Sequence, residues 1–396
     1  MEETRFANRL QGFSSKVISE ILKLTQQPDI ISFAGGMPAP DAFPTDVLAE
    51  LAEYVIRQRR AEVLQYGVTE GFYPLRDWIA QWISQKGLRV RAENVLIITG
   101  SQQGIDLVAK ALVNPQDKVV VERPTYLTAI QIFRSYEACF LVTPYNQQGV
   151  DVPALEALIE QEQPKVVYLV PTFQNPSGQT LPLENRRDLA DMLTRHQVVL
   201  LEDDPYADLR YSGEPLPAIM GMDQTGQSIY LGSFSKIISP GLRVGFAVAT
   251  GELFDKLVIG KQVTDVHTSN LSQALVYEFC RRGYLEPHIA RISSMYKEKC
   301  LKMQAAIKQY MPNSIRWTAP EGGLFIWGEL PADIDSKAVM QEAVKHKVAF
   351  IPGESFFADG TGQNTMRLNF SNAALADIEI GIMRLAGVLQ QFMPVK

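Results

Sequence analysis

Six short apolar runs, separated by stretches of helical periodicity, constrain this chain more than any other feature. They occupy residues 95–99, 118–122, 166–170, 198–202, 229–231 and 244–248. Each is nearly continuous in apolar residues instead of alternating, so a strand formed there must be covered on both faces. After the first, Ile105, Leu107, Val108, Ala111 and Leu112 recur at helical spacing. Strands that alternate with helices predict an α/β fold on a largely parallel sheet between helical layers.

The flanks read differently. Near the N-terminus, Val17, Ile18, Ile21, Leu22 and Leu24 form a helical pattern, followed by the extended stretch Gly35-Gly36-Met37-Pro38-Ala39-Pro40. From about Pro287 a long helix is predicted, then short strands at 323–327 and 366–370 and a final helix at 376–390. This mixture predicts a smaller α+β domain against which the N-terminal arm folds. The expected division is an arm at 1–44, a large domain at 45–286 and a small domain at 287–396, within reach of 396 residues.

Composition narrows the function. A net charge of −6 offers no basic face for a nucleic acid, and no basic amphipathic stretch suggests a membrane surface. No apolar run approaches the ~20 residues of a membrane-spanning helix, and Met1-Glu2-Glu3-Thr4-Arg5 is no secretory leader. Cys139, Cys280 and Cys300 are scattered and odd in number, which reads as reduced thiols and a cytoplasmic location. The histidines lack ligand spacing, so no metal is expected.

In an open α/β sheet, ligands sit beyond the carboxyl ends of the strands. Four motifs fall at such ends. In Thr99-Gly100-Ser101-Gln102-Gln103-Gly104 a strand enters a turn that opens a helix, where free N–H groups suit a phosphate, although an ordinary capped helix has the same appearance. Asn175-Pro176-Ser177-Gly178 is by itself a turn. Glu202-Asp203-Asp204-Pro205-Tyr206 crowds three acids, which calls for a cationic partner such as a protonated pyridine, or else for a solvated turn. Ser233-Phe234-Ser235-Lys236, with Arg243 seven residues on, offers an amine able to form an imine beside donors for a phosphate. Arg367, in a short apolar strand, is a candidate for a carboxylate or for a structural salt bridge. Together these residues provide an amine, an acid for a ring nitrogen, phosphate donors and a cation for a carboxylate. Pyridoxal phosphate acting on an amino acid needs that set.

With these motifs in this order, the sequence closely resembles the class I aminotransferases of pyridoxal-phosphate fold type I, over essentially its whole length. Ile31-Ser32-Phe33-Ala34-Gly35-Gly36-Met37-Pro38 and the acid–tyrosine motif are similar to the branch of 2-aminoadipate, kynurenine and aromatic aminotransferases. The resemblance implies a seven-stranded, mostly parallel sheet. It also implies that Lys236 holds the cofactor and moves the substrate proton, and that Asp203 pairs with the ring nitrogen. Tyr206 and Asn175 would bond the phenolic oxygen, and Tyr126 would stack on the ring. Ser101, Gln102, Ser233, Ser235 and Arg243 would hold the phosphate. Arg367 would clamp the substrate carboxylate, with Gly36 close to the substrate. Tyr66 would reach the phosphate of a neighbouring subunit, which implies a homodimer with shared sites.

One position departs from the pattern. Where aminoadipate- and kynurenine-type members carry an arginine on the N-terminal helix, this chain has Ser19, which cannot meet a distal carboxylate. Aromatic or aliphatic donors are therefore expected over 2-aminoadipate. The expected activity is a ping-pong transamination between an amino acid and a 2-oxo acid such as 2-oxoglutarate. The alternatives are a lyase on the same fold and a ligand-sensing module related to regulator domains, for which the chain offers no preceding DNA-binding segment.

Overall fold

The computed structural model describes residues 7–10, 29–146 and 149–393. Seven strands form the central sheet: β1 (Val95–Ile98), β2 (Lys118–Val121), β3 (Cys139–Val142), β4 (Val166–Leu169), β5 (Val199–Asp203), β6 (Ser228–Ser233) and β7 (Gly245–Val248). Their spatial order is β1-β7-β6-β5-β4-β2-β3. Every pairing that involves β7 is antiparallel, and the others are parallel. The six apolar runs all lie in this sheet. The seventh strand, β3, is not among those six runs; it is an edge strand with all four residues half-buried. Its sequence, Cys139-Phe140-Leu141-Val142, is as continuously apolar as the other runs, so the same pattern marks it.

Burial follows from the layering. Leu96, Ile98, Val119, Val121, Val166, Tyr168, Leu201, Ile229 and Leu231 pack under the helices on one face. Val120, Val167, Leu169 and Leu200 pack on the other, against Leu155, Leu189 and Leu193. Both faces are covered, as uninterrupted apolar strands require.

The strand direction fixes where loops can meet. β1, β4, β5 and β6 run parallel, so their carboxyl ends share one edge of the sheet. Because β7 runs the opposite way, its first residue returns to that same edge, with Gly245 opposite Ile98 and Ser233. Arg243 is two residues upstream and is thereby carried to the edge where the other strands end.

A second sheet comprises β8 (Arg316–Trp317), β9 (Phe325–Glu329), β10 (Ile351–Pro352) and β11 (Thr365–Asn369), all antiparallel, in the order β8-β9-β11-β10. Helices Leu285–Tyr310 and Leu375–Phe392 lie with it. Ile31–Ser32 pairs in parallel with Val348–Ala349, and the Asn369 N–H donates to the Phe33 carbonyl at 2.8 Å. The stretch from residue 29 is thus sewn to the C-terminal part. The helical pattern around residues 17–24, with Ser19, lies outside the described residues.

Arg186 ties the core to the edge loops. It sits among charged neighbours on the helix Leu183–Arg195, yet it is fully buried. Its guanidinium donates to the carbonyls of Leu181, Pro217 and Pro171 and to Thr172 Oγ1, at 2.8–3.0 Å. Both strands of the 171–181 loop, which carries Asn175, hang on this one side chain. Replacing it by an apolar group strands several buried acceptors at about 1–3 kcal/mol each. Arg186→Met is therefore expected to lower unfolding free energy by about 3 kcal/mol or more in denaturant titration.

Candidate active site

A cavity of about 330 Å³ lies at the carboxyl edge of the central sheet, between it and the second sheet. Twelve of the thirteen sequence-predicted site residues line it: Gly36, Ser101, Gln102, Tyr126, Asn175, Asp203, Tyr206, Ser233, Ser235, Lys236, Arg243 and Arg367. Tyr66 does not. It is 80% exposed, in a separate surface depression beside Gly67 and Asn270. A larger cleft of about 680 Å³ between the 174–182 loop and residues 317–321 shares Val170 with the cavity, but no lysine lines it.

Local packing explains why Lys236 faces inward to the cavity. Immediately after β6, Phe234 and Ile237 are buried, Phe234 stacked on Trp82 and tilted against Phe246. Their anchoring leaves Ser235 and Lys236 on the opposite side of the turn, at the cavity wall. The Lys236 Nζ donates to the Gly36 carbonyl at 2.9 Å. Burial, with the Arg367 and Arg243 charges nearby, pulls its amine down to about 8 from an ordinary lysine value. Near neutrality a proton is therefore readily exchanged at this nitrogen.

The three consecutive acids are all buried, so the alternative of a solvated turn does not hold. Strand alternation sends them apart. Glu202 accepts the backbone N–H groups of Ile219 and Met220 at 3.0 and 2.8 Å. Asp204 accepts from the Tyr230 hydroxyl at 2.9 Å. Only Asp203 lines the cavity. Its Oδ2 accepts from the Tyr168 hydroxyl at 2.9 Å, whereas Oδ1 is buried without a partner. Desolvation pushes the carboxyl up to about 7.

Arg367, in β11, is buried beneath the cavity. It donates to Asn175 Oδ1 and to the Ala34 carbonyl, both at 2.8 Å, and its guanidinium lies 4.4 Å from the Phe325 ring centroid. Its Nε is buried and unpartnered, and burial pulls its pKa down to about 10. Asn175 Nδ2 in turn donates to the Tyr206 hydroxyl at 3.4 Å. A Cβ at Gly36 would make only ordinary contacts, 3.7 Å from Phe325 and 3.9 Å from Arg367 Nη2, so it would point into the space beside that guanidinium.

At the other end, Gly100 adopts φ +81° ahead of the helix Ser101–Leu112. A side chain there would meet Arg243 Nη2 at 2.7 Å. Arg243 is exposed, donates to the Thr99 carbonyl at 2.8 Å and sits at φ +53°. Ser233 Oγ accepts from the Ser235 N–H at 3.1 Å. The residues thus form an anion-directed end (Gly100, Ser101, Ser233, Ser235, Arg243), a lone carboxylate, an amine and a second arginine.

A phosphorylated pyridine aldehyde fits this donor set: the orphaned Asp203 oxygen accepts from a ring N–H, and the Gly100–Arg243 end offers donors to a phosphate. Comparison with known proteins agrees. The aminotransferase class I and II family profile matches residues 29–385. The chain belongs to that family. It is 40% identical to aromatic-amino-acid aminotransferase 1 of Thermococcus litoralis, over 99% of this chain and 95% of the relative. Among solved structures, the kynurenine aminotransferase of Pyrococcus horikoshii, in complex with PMP, superposes with a TM-score of 0.94 at 39% identity, over 99% and 98% of the two chains. The α-aminoadipate aminotransferase of Thermus thermophilus, complexed with N-(5'-phosphopyridoxyl)-L-leucine, gives 0.91 at 40% identity, over 98% and 97%. This aminotransferase has fold type I, it transfers amino groups, and its family implies pyridoxal phosphate. The lyase alternative is not favoured.

Sequence reading missed the residues behind the site. Tyr168 looked like one more apolar position of β4, and Phe325 like core. No local signal marks either, because each acts through a partner distant in sequence.

Two outcomes follow from the desolvated charges. In cofactor-free protein, Lys236 is expected to react with an amine-directed acylating reagent along a titration curve centred near pH 8, as read by peptide mapping, with ordinary lysines lagging by about two units. For Asp203, a folded pKa above the unfolded value means that the folded state binds the extra proton. Its contribution to stability is therefore lost as pH rises from about 4 to about 7. Asp203→Asn should accordingly stabilise the cofactor-free protein above pH 7 in thermal unfolding, and weaken cofactor binding.

Proposed function

We propose that this aminotransferase binds pyridoxal phosphate at Lys236 and prefers aromatic or aliphatic L-amino acids as donors, with 2-oxoglutarate as acceptor. The buried, unpartnered oxygen of Asp203 opposite a depressed lysine carries the reading. When bound, the cofactor withdraws electrons from the amino-acid Cα and carries the amino group from donor to acceptor.

The chain's own residues do the rest. Asp203 keeps a proton on the ring nitrogen, with Tyr168 holding its second oxygen. Tyr206 and Asn175 bond the phenolic oxygen, and Tyr126 covers the ring. Ser101, Gln102, Ser233, Ser235 and Arg243 bind the phosphate. Arg367 takes the substrate carboxylate bidentately, with its planar fork pre-oriented by Asn175, the Ala34 carbonyl and Phe325. Gly36 leaves space beside that carboxylate. Lys236 Nζ removes the Cα proton and later returns it, for which a pKa near 8 is suited.

The donor preference rests on charge. Among the described residues lining the cavity, the cations are Lys236, Arg243 and Arg367, and each has a task. None is left for a distal carboxylate, in keeping with Ser19. The aromatic-amino-acid relative supports the same preference. The exposed Tyr66, flanked by exposed Leu64 and Val68, suits a homodimer in which it enters the partner's site. The arm 1–44 then belongs with the small domain 287–396, facing the large cofactor-binding domain 45–286, and the enzyme works in the cytoplasm.

Mixing purified holoenzyme with one donor at a time, without acceptor, separates the possibilities by absorbance. Conversion of the cofactor to its amine form by phenylalanine or leucine, faster than by 2-aminoadipate, is the expected result. A faster response to 2-aminoadipate would reject the apolar-donor reading. Lys236→Ala is expected to abolish turnover, and a variant retaining normal transamination would reject the assignment of Lys236.

A further inference from the structure

The helix Gly251–Asp265 ends in an unusual way. Val266, a β-branched residue, sits at φ +64°, ψ −60°, and the His267 N–H donates to the Asp265 carbonyl at 2.7 Å. Such a conformation persists only where the surroundings over-determine it. One turn back, Lys261 is fully buried although it is a lysine. Neither feature takes part in binding or chemistry as described above.

Both converge on one network. Lys261 Nζ donates to Gln103 Oε1 at 2.9 Å and to both Asp265 oxygens at 2.9 and 3.1 Å. Gln103 Nε2 donates to Asp265 Oδ2 at 2.7 Å, and Gln103 Oε1 accepts from the Thr99 N–H at 2.8 Å. The Thr99 hydroxyl donates to Asp265 Oδ2 at 3.1 Å and contacts Thr268 Oγ1 at 3.1 Å. On its other side, the Thr99 carbonyl accepts from Arg243. Thr99 is therefore gripped through its N–H, its hydroxyl and its carbonyl, directly before Gly100 and Ser101.

We propose that Lys261, Gln103 and Asp265 are positioning residues that hold the Thr99–Gly100–Ser101 turn in its phosphate-binding geometry, and so set cofactor affinity without touching the cofactor. The proposal rests on the phosphate site described under Proposed function. Charge accounts for the design. Asp265 alone behind this turn would repel a phosphate; Lys261 neutralises it and, by donating to Gln103 Oε1, holds the amide with that oxygen toward the Thr99 N–H. Gln103 is uniquely placed because its amide both donates and accepts.

The test compares two ligands of the cofactor-free protein that differ only in the phosphate: pyridoxal 5'-phosphate and pyridoxal. Lys261→Met and Gln103→Met are measured by fluorescence titration, with Thr99→Val as a milder variant that retains the backbone contacts. The expected result is a loss of about tenfold or more in affinity for pyridoxal phosphate, as for one lost charge-assisted hydrogen bond. Pyridoxal affinity should stay within about twofold of wild type, less than the change that one such bond produces. Equal losses for both ligands would assign the network a general structural role and overturn the proposal, as would unchanged affinity for both in all three variants. Wild-type protein that binds pyridoxal phosphate no tighter than pyridoxal would overturn the phosphate site, and this inference with it.

Discussion

Desolvation of like charges is the constraint on which the rest of this molecule depends. Three cations and one carboxylate line a cavity of about 330 Å³. Arg367 is buried and Lys236 half-buried, and desolvation pulls the pKa of each down before any partner is counted. A protein interior tolerates such an excess of one sign only where something else supplies the opposite charge or where strain is useful. A ligand carrying a phosphate at one end and a carboxylate at the other restores the balance, and a cationic ring nitrogen meets the remaining acid. The cavity is thus electrostatically incomplete by itself.

The architecture exists to hold that incomplete set. Parallel strands bring Thr99, Val170, Asp203 and Ser233 to one edge, and the single antiparallel strand β7 returns Arg243 to it. Had β7 run parallel, Arg243 would stand at the opposite edge, a strand length away. Arg367 comes from a different sheet and reaches the cavity because β11 lies between β9 and β10, with Trp327 and Ile351 as its register partners. The seam formed by Ile31–Ser32 then brings the Ala34 and Gly36 carbonyls onto Arg367 and Lys236. A local fold of any one segment could not produce these contacts, which span up to 333 positions.

How much of this the sequence revealed depends on whether a residue acts through its neighbours in the chain. The apolar runs revealed the sheet, because two-sided burial leaves a continuous pattern. Lys236, Asp203 and the 99–104 turn were legible because strand ends carrying polar residues in small clusters are chemically odd. β3 carries the same signal in Cys139-Phe140-Leu141-Val142, and what the pattern alone does not reveal is that this run forms the edge of the sheet. Arg186 was hidden among Glu184, Arg187 and Asp188, where a solvated helix face is the ordinary expectation, and only the fold swings it under the 171–181 loop. The fates of Glu202 and Asp204 were invisible for a similar reason. Alternation along β5 predicts that Asp203 differs from them, but not that Tyr230 and the 219–220 backbone await the other two.

Function and stability pull against each other at this edge. An aspartate with one oxygen unpartnered, an amine against two guanidinium groups and an arginine with an idle Nε are each a cost to the free fold. Around them, the surrounding polar groups are satisfied with care: Arg186 by four acceptors, Glu202 by two backbone donors, Gln103 by Thr99, Lys261 and Asp265. The division is physical. Asp203 and Arg367, which must meet a ligand, are each left short of one partner, while Arg186, Glu202 and Gln103 are held from several sides, which keeps an orienting side chain from turning. Binding then relieves the shortage, so occupancy and folding are linked, and the folded state gains RT ln(1 + [L]/Kd) from a ligand that the unfolded chain cannot hold.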